Sequence, residues 1–169
     1  MSDLTPDQIR RMKMAVAIVE AQLNDDAAKV DALFKAGGSD LSPFIDGTFE
    51  LAIGLATLLA GFRAQTIRAT LEGLTPVEVT IVPDVGVNWD VGIAMVEAVR
   101  TGNSKTVEIG SQVDVPTALQ TSFSIVVALL FELDGVQGRD TAFWLQTVAS
   151  WLIAGAPAAP QGWEPPPPL

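Results

Sequence analysis

The pentapeptide Ala17-Ile18-Val19-Glu20-Ala21 recurs, with one substitution, as Ala94-Met95-Val96-Glu97-Ala98, 77 positions later. Both copies lie in stretches of helical periodicity. In the first, Ile9, Met12, Val16, Val19 and Leu23 are spaced by 3, 4, 3 and 4, which puts them on one face of an amphipathic helix. Thr5, Pro6 and Gln8 mark its start as a capping box with proline at the first helical position, and Asp7 adds a favourable charge at the positive end of the helix dipole. Shifted by 77, the stripe from Met12 onward becomes Trp89, Ile93, Val96 and Arg100, still apolar at three of four places. Two helices that must bury the same stripe point to a helical fold built around a shared core.

The correspondence continues through two further segments. Residues 49–59 match 123–133 at a shift of 74, with Phe49 on Phe123, Ile53 on Val127, Leu55 on Leu129 and Leu59 on Leu133. Three extra residues, Gly135 to Gln137, then restore the shift to 77. The third segment carries Ile67, Leu71 and Leu74 in one half and Trp144, Val148 and Trp151 in the other. The expectation is a mainly α domain over residues 1–155, from duplication of a three-helix unit, with repeats at about 5–74 and 88–153. Two units are too few for an open solenoid, which usually needs at least ~3, so the halves are expected to pack face to face about a pseudo-two-fold axis.

The halves differ in one informative place. Residues 24–38 of the first half read as a short extra helix, with Asn24 or Asp25 as cap, Val30, Leu33 and Phe34 on one face, and Gly37 and Gly38 as a stop. In the second half Val107, Ile109, Val113 and Val115 alternate with polar residues or glycine, and residues 77–82 alternate between Pro76 and Pro83. That is strand periodicity, and the two segments, 77–82 and 106–115, are read as a short two-stranded β-ribbon. A degraded helix over 104–112 is the alternative. Residues 156–169, with six of the chain's eleven prolines from Pro157 on, are expected to form an extended tail.

Composition narrows the function classes. The 169 residues contain neither histidine nor cysteine, which removes Ser-His-Asp chemistry, thiol nucleophiles, disulfides and imidazole or thiolate metal ligands. A formal charge of −10 repels phosphate backbones, so no nucleic acid is expected as a partner. Charged residues are 18% of the chain, against the usual ~25%, and apolar residues 49%. So few charges leave apolar surface to be covered by a second copy or another protein. The polar N-terminus does not resemble a secretory signal. The apolar run Leu51 to Phe62 makes about 18 Å of helix against a ~30 Å bilayer core, and reads as a buried core helix, not a membrane span. A cytoplasmic or phage-particle protein is expected, and the Ala, Val, Gly, Pro and Arg bias suits a GC-rich bacterial or phage genome.

The candidate site residues follow from the same reading. Ala52, Ala56 and Ala60 repeat at a spacing of four, a face that another backbone could approach, either within the chain or in a homodimer. Trp163 and Pro165, Pro166, Pro167 and Pro168 form a pre-ordered segment suited to a partner's groove. Phe143, Trp144 and Trp151 fit a core stripe better than a ligand pocket. Residues 101–106 contain fragments of a phosphate loop without its spacing. Glu20 and Glu97, the acids of the repeated pentapeptide, would face each other if they lay close to the two-fold axis, and there could share a proton or hold a hard divalent cation. No cofactor and no catalytic residue is expected. The function expected is non-enzymatic protein–protein interaction through apolar helix faces, with self-association. Binding of a small molecule or divalent cation in the cleft between the halves is the alternative.

Overall fold

The computed structural model describes residues 5–36, 42–77, 79–82, 84–102, 113–138 and 140–153. Seven helices occur among them: α1 (Pro6–Leu23), α2 (Ala27–Ala36), α3 (Ser42–Arg63), α4 (Ile67–Glu72), α5 (Trp89–Thr101), α6 (Val115–Gln137) and α7 (Thr141–Ile153). The fold is mainly α, as the periodicity indicates.

Local chemistry sets the helix starts. The Thr5 hydroxyl accepts from Gln8 N at 3.2 Å while Gln8 Oε1 accepts from Thr5 N at 2.8 Å, completing the capping box of α1. The cap of α2 is Asp26, one or two residues later than the sequence suggests, because Asp25 takes a left-handed conformation (φ 54) and the Asp26 carboxylate accepts from Lys29 N. Asn88, Asp114 and Asp140 accept from Val91 N, Thr117 N and Phe143 N in the same manner. Gly102 and Gly138 close α5 and α6 with positive φ, where a side chain would be strained.

The core is the α3–α6 pair, the most extensive helix contact among the described residues. Every residue of α6 from Leu119 to Leu130 is buried, so this stretch is covered on all sides. Its polar members do not break the core, because Ser122 Oγ and Ser124 Oγ donate to Leu119 O and Gln120 O, and Thr48 Oγ1 of α3 donates to Phe44 O. Around the pair, α1 lies on α3 and α5 on α6; α7 contacts α1, α3 and α6; α4 contacts α3 and α5. Phe44–Arg63 and Val115–Val136 are each long and apolar enough to cross a membrane by length and composition, and 67% and 72% of their apolar windows are buried in the fold.

Small residues set how closely the helices pack. A Cβ on Gly47 would stand 2.7 Å from Arg11 O and 3.0 Å from Met12 Cα, so α3 crosses α1 backbone to backbone at this point. Gly54 receives Val148 and Leu152 of α7, and Gly92 of α5 receives Thr121 and Ile125 of α6.

Residues 77–82 do not form a strand ladder among the described residues. The buried Gln120 side chain takes the place of a partner strand: its Oε1 accepts from Ile81 N at 3.0 Å and Val82 N at 2.8 Å. The far end of the expected second strand is corrected, since Asp114 caps α6 and Val115 is its first residue. Val113 lies in a bend before that cap, and residues 106–112 of the expected strand, like the alternative helix over 104–112, lie outside the described residues. Thr121 fixes the end of the connection by accepting from Asn88 N at 3.0 Å.

The Gly47 contact is testable by calorimetry. Gly47→Ala puts a methyl against backbone that cannot rotate away, and should cost about 1–3 kcal/mol, a Tm fall of about 3–10 °C. Gly61→Ala, on the same helix with nothing within 4 Å of the new Cβ, should raise Tm slightly, by about 0.4–1 kcal/mol of stability. Equal effects at the two positions would contradict the packing described.

Candidate functional site

A shallow, open groove of ≈420 Å³ runs along the outer side of α1, with Leu33 of α2 at its flank. Its walls are Ile9, Met14 and Ala17 of α1 and Leu33 of α2, and Arg10 and Lys13 lie along its edge. The groove arises because α1 carries apolar side chains on two faces. Met12, Ala15, Val16 and Val19 are buried in the core, whereas Ile9, Met14 and Ala17 stay half-exposed. Arg10 is held by Asp7 at 2.8 Å and donates to Met14 Sδ at 3.6 Å; Lys13 makes no ion pair or hydrogen bond among the described residues.

Across α1 from this groove is a second cleft, of ≈340 Å³, between α1 and α7. It is lined by Val16, Glu20, Gln146 and Ile153, and shares Lys13 and Ala17 with the groove. The short Ala17 side chain leaves a low saddle between the two. At the mouth of this cleft Gln146 Nε2 donates to Glu20 Oε1.

Glu97 occupies a different cleft, between α4 and α5, with Arg68, Glu72 and Asp90. Arg100 holds its carboxylate through Nε at 3.1 Å and Nη2 at 2.8 Å. The structure therefore does not bring Glu20 and Glu97 together. Among the described residues no group of three or more metal-ligating side chains occurs.

The other sequence candidates separate cleanly. Ala52, Ala56 and Ala60 are buried within the chain, at 0%, 0% and 4% exposure, which corrects the homodimer-seam reading: their small side chains serve internal helix packing. Trp144 is core, edge-to-face with Phe62 at 5.6 Å and with Phe143 at 4.9 Å, while Trp151 is half-buried. Trp163, Pro165, Pro166, Pro167 and Pro168 lie outside the described residues.

A further cleft, like the α1/α2 groove, has no signal in the sequence. Between α1, α3 and α5, a space of ≈280 Å³ is lined by Arg11, Asp46, Phe49, Glu50 and Val99. Arg11 Nη1 donates to Asp46 Oδ2 at 2.7 Å, and its Nε lies 2.9 Å from Asp7 Oδ2. The hydrogen bond from Arg10 is the main reason the Asp7 carboxyl titrates below its ordinary range. Glu50 is different: burial first, and the Asp46 carboxylate second, push its pKa up. Its position in α3, one turn from Asp46, is visible in the sequence, but its burial depends on where α1 and α5 cross.

No family model matches this chain, and no curated protein or solved structure matches it.

The raised Glu50 pKa gives stability a definite pH dependence. Ionised Glu50 is disfavoured by the fold, so its contribution is most favourable below the unfolded value of ~4.3 and is lost as pH rises through the folded pKa. Glu50→Gln should therefore raise Tm at pH 7, by about 1–2 °C given the group's partial exposure, with the difference shrinking toward zero below about pH 4. A lower Tm for the variant at pH 7 would mean that the carboxylate has a favourable partner.

Proposed function

We propose that this chain is a non-enzymatic protein–protein interaction module that takes an apolar segment of a partner, or of a second copy, into the groove between α1 and α2. The observation that carries the reading is the groove itself: open, walled by Ile9, Met14, Ala17 and Leu33, and bordered by a lysine with no ion pair among the described residues. An amphipathic helix or extended peptide could dock there by its apolar face. The low charge content and the lack of histidine and cysteine agree with a binding role. We take α3 and α6 as core helices, because the other helices cover most of their apolar windows.

We also infer that the chain arose by duplication of a three-helix unit, α1–α3–α4 and α5–α6–α7, with α2 inserted in the first. Three observations support this. Shifting residues 42–60 by 74 gives 116–134, which lies within α6, and the three extra residues, Gly135 to Gln137, extend the C-terminal end of that helix. Each unit's third helix packs on the first helix of the other unit, α7 on α1 and α4 on α5. The clefts so formed correspond: Lys13, Val16, Ala17 and Glu20 line one, and Asp90, Ile93, Ala94 and Glu97, each 77 residues on, line the other. Repetition thus accounts for Glu20 and Glu97 as equivalent edge residues of separate clefts.

A second reading, small-molecule binding between the halves, draws on the Glu50 cleft, where a carboxyl with a raised pKa faces a space beside Arg11 and Asp46. A basic ligand would be its natural occupant.

Sedimentation velocity from 5 to 500 µM tests the first reading. The intact chain should associate reversibly, and Ile9→Glu should weaken that association tenfold or more while leaving the circular-dichroism melt within a few degrees. Association of the same strength in the variant would remove the groove from the interface.

A further inference from the structure

Of the three methionines among the described residues, only Met14 is not buried. It lines the groove along α1 with Ile9, Ala17 and Leu33, whereas Met12 is 0% exposed and Met95 9%. We propose that Met14 is an oxidation site: its thioether takes one oxygen atom from hydrogen peroxide or an organic hydroperoxide, and the sulfoxide closes the groove to apolar segments. The closure rests on the groove being the binding surface; the oxidation does not.

Access decides which methionine reacts. A thioether is oxidised through a sulfur lone pair, so the oxidant must reach the sulfur, and the close packing around Met12 and Met95 offers no path. At Met14 the open groove provides one. The sulfur attacks the outer peroxide oxygen, the O–O bond breaks, and solvent protonates the departing oxygen. The thioether is thereby oxidised to a sulfoxide, and the peroxide is reduced to water or an alcohol. Arg10 and Lys13 lie along the groove edge, and their cations favour the negative charge that develops on the departing oxygen.

The surroundings also favour the product. Arg10 Nη1 donates to Met14 Sδ at 3.6 Å, and Asp7 holds the same guanidinium at 2.8 Å. A thioether sulfur is a weak acceptor and a sulfoxide oxygen a strong one, so the donor already in place gains a better partner on oxidation. Binding suffers in return. The unmodified thioether is flexible and polarisable and adapts to apolar segments. The sulfoxide sets a polar, hydrated group between Ile9 and Ala17, and an apolar segment laid over it strips that water without offering a donor.

Dilute hydrogen peroxide applied to the folded full chain, followed by peptide mass spectrometry, tests the site. At 5 µM, Met14 should gain one oxygen at least tenfold faster than Met12 and Met95; equal rates overturn the inference. Sedimentation velocity of the chain oxidised at Met14 should show association weakened tenfold or more, with the circular-dichroism melt within a few degrees of the untreated chain. Met14→Leu carried through the same peroxide treatment should associate as it does untreated. Unchanged association of the oxidised chain, where Ile9→Glu does weaken it, overturns the closure of the groove, as does an equal loss in treated Met14→Leu. Full association of Ile9→Glu instead removes the groove from the interface, and the oxidation rates then decide the site alone.

Discussion

Burial of α3 against α6 is the constraint from which the rest of the molecule follows. Both helices are apolar around most of their circumference, and a helix of that kind needs cover on every side. Leu51, Leu55 and Leu59 on one, and Phe123, Ile125, Leu129 and Leu133 on the other, are buried to completion. Covering two such helices takes up the inner faces of α1, α5 and α7. The crossings are close only because Gly47, Gly54 and Gly92 leave room for a neighbour. The polar side chains of α6 in this core are bonded: the Ser122 and Ser124 hydroxyls donate to carbonyls one turn back, and Gln120 and Thr121 accept from backbone amides of the connection before α5.

The same constraint decides where surface remains for binding. The outer helices must be amphipathic, and α1 is apolar on more than its buried stripe. It faces α3 with Met12, Val16 and Val19 and leaves Ile9, Met14 and Ala17 on its outer side, half covered by α2. That helix is attached lightly, with Val30 as its one buried side chain among the described residues and Phe34 set edge-to-face on Phe44 at 5.2 Å. A thin layer over an apolar helix face leaves a groove, and Lys13 at its edge makes no ion pair among the described residues.

Much of this is legible in the residues, and the remainder is not for identifiable reasons. The start of α1 is readable because Thr5, Pro6 and Gln8 act within one turn. The buried faces of α3 and α6 are readable because Phe49, Leu55 and Leu59 on the first and Phe123, Leu129 and Leu133 on the second keep helical spacing. The alternation at 77–82 misleads because local patterning cannot reveal that Gln120, far along the chain, takes two of the segment's amides. Ala52, Ala56 and Ala60 mark a close-packed face correctly, but spacing alone cannot tell an internal neighbour from a second chain. The α1/α2 groove and the Glu50 cleft join residues from separate helices, so they exist only once crossing angles are set.

If the α3–α6 pair holds the fold together, its backbone should open only when the whole molecule unfolds. Native-state hydrogen exchange in increasing denaturant reads this residue by residue. The amides of residues 51–59 and 119–130 should exchange last and share one opening free energy equal to the global stability, with α2 and α4 opening well below it. Exchange of the α6 amides ahead of those of α1 would contradict the dependence of the fold on this pair.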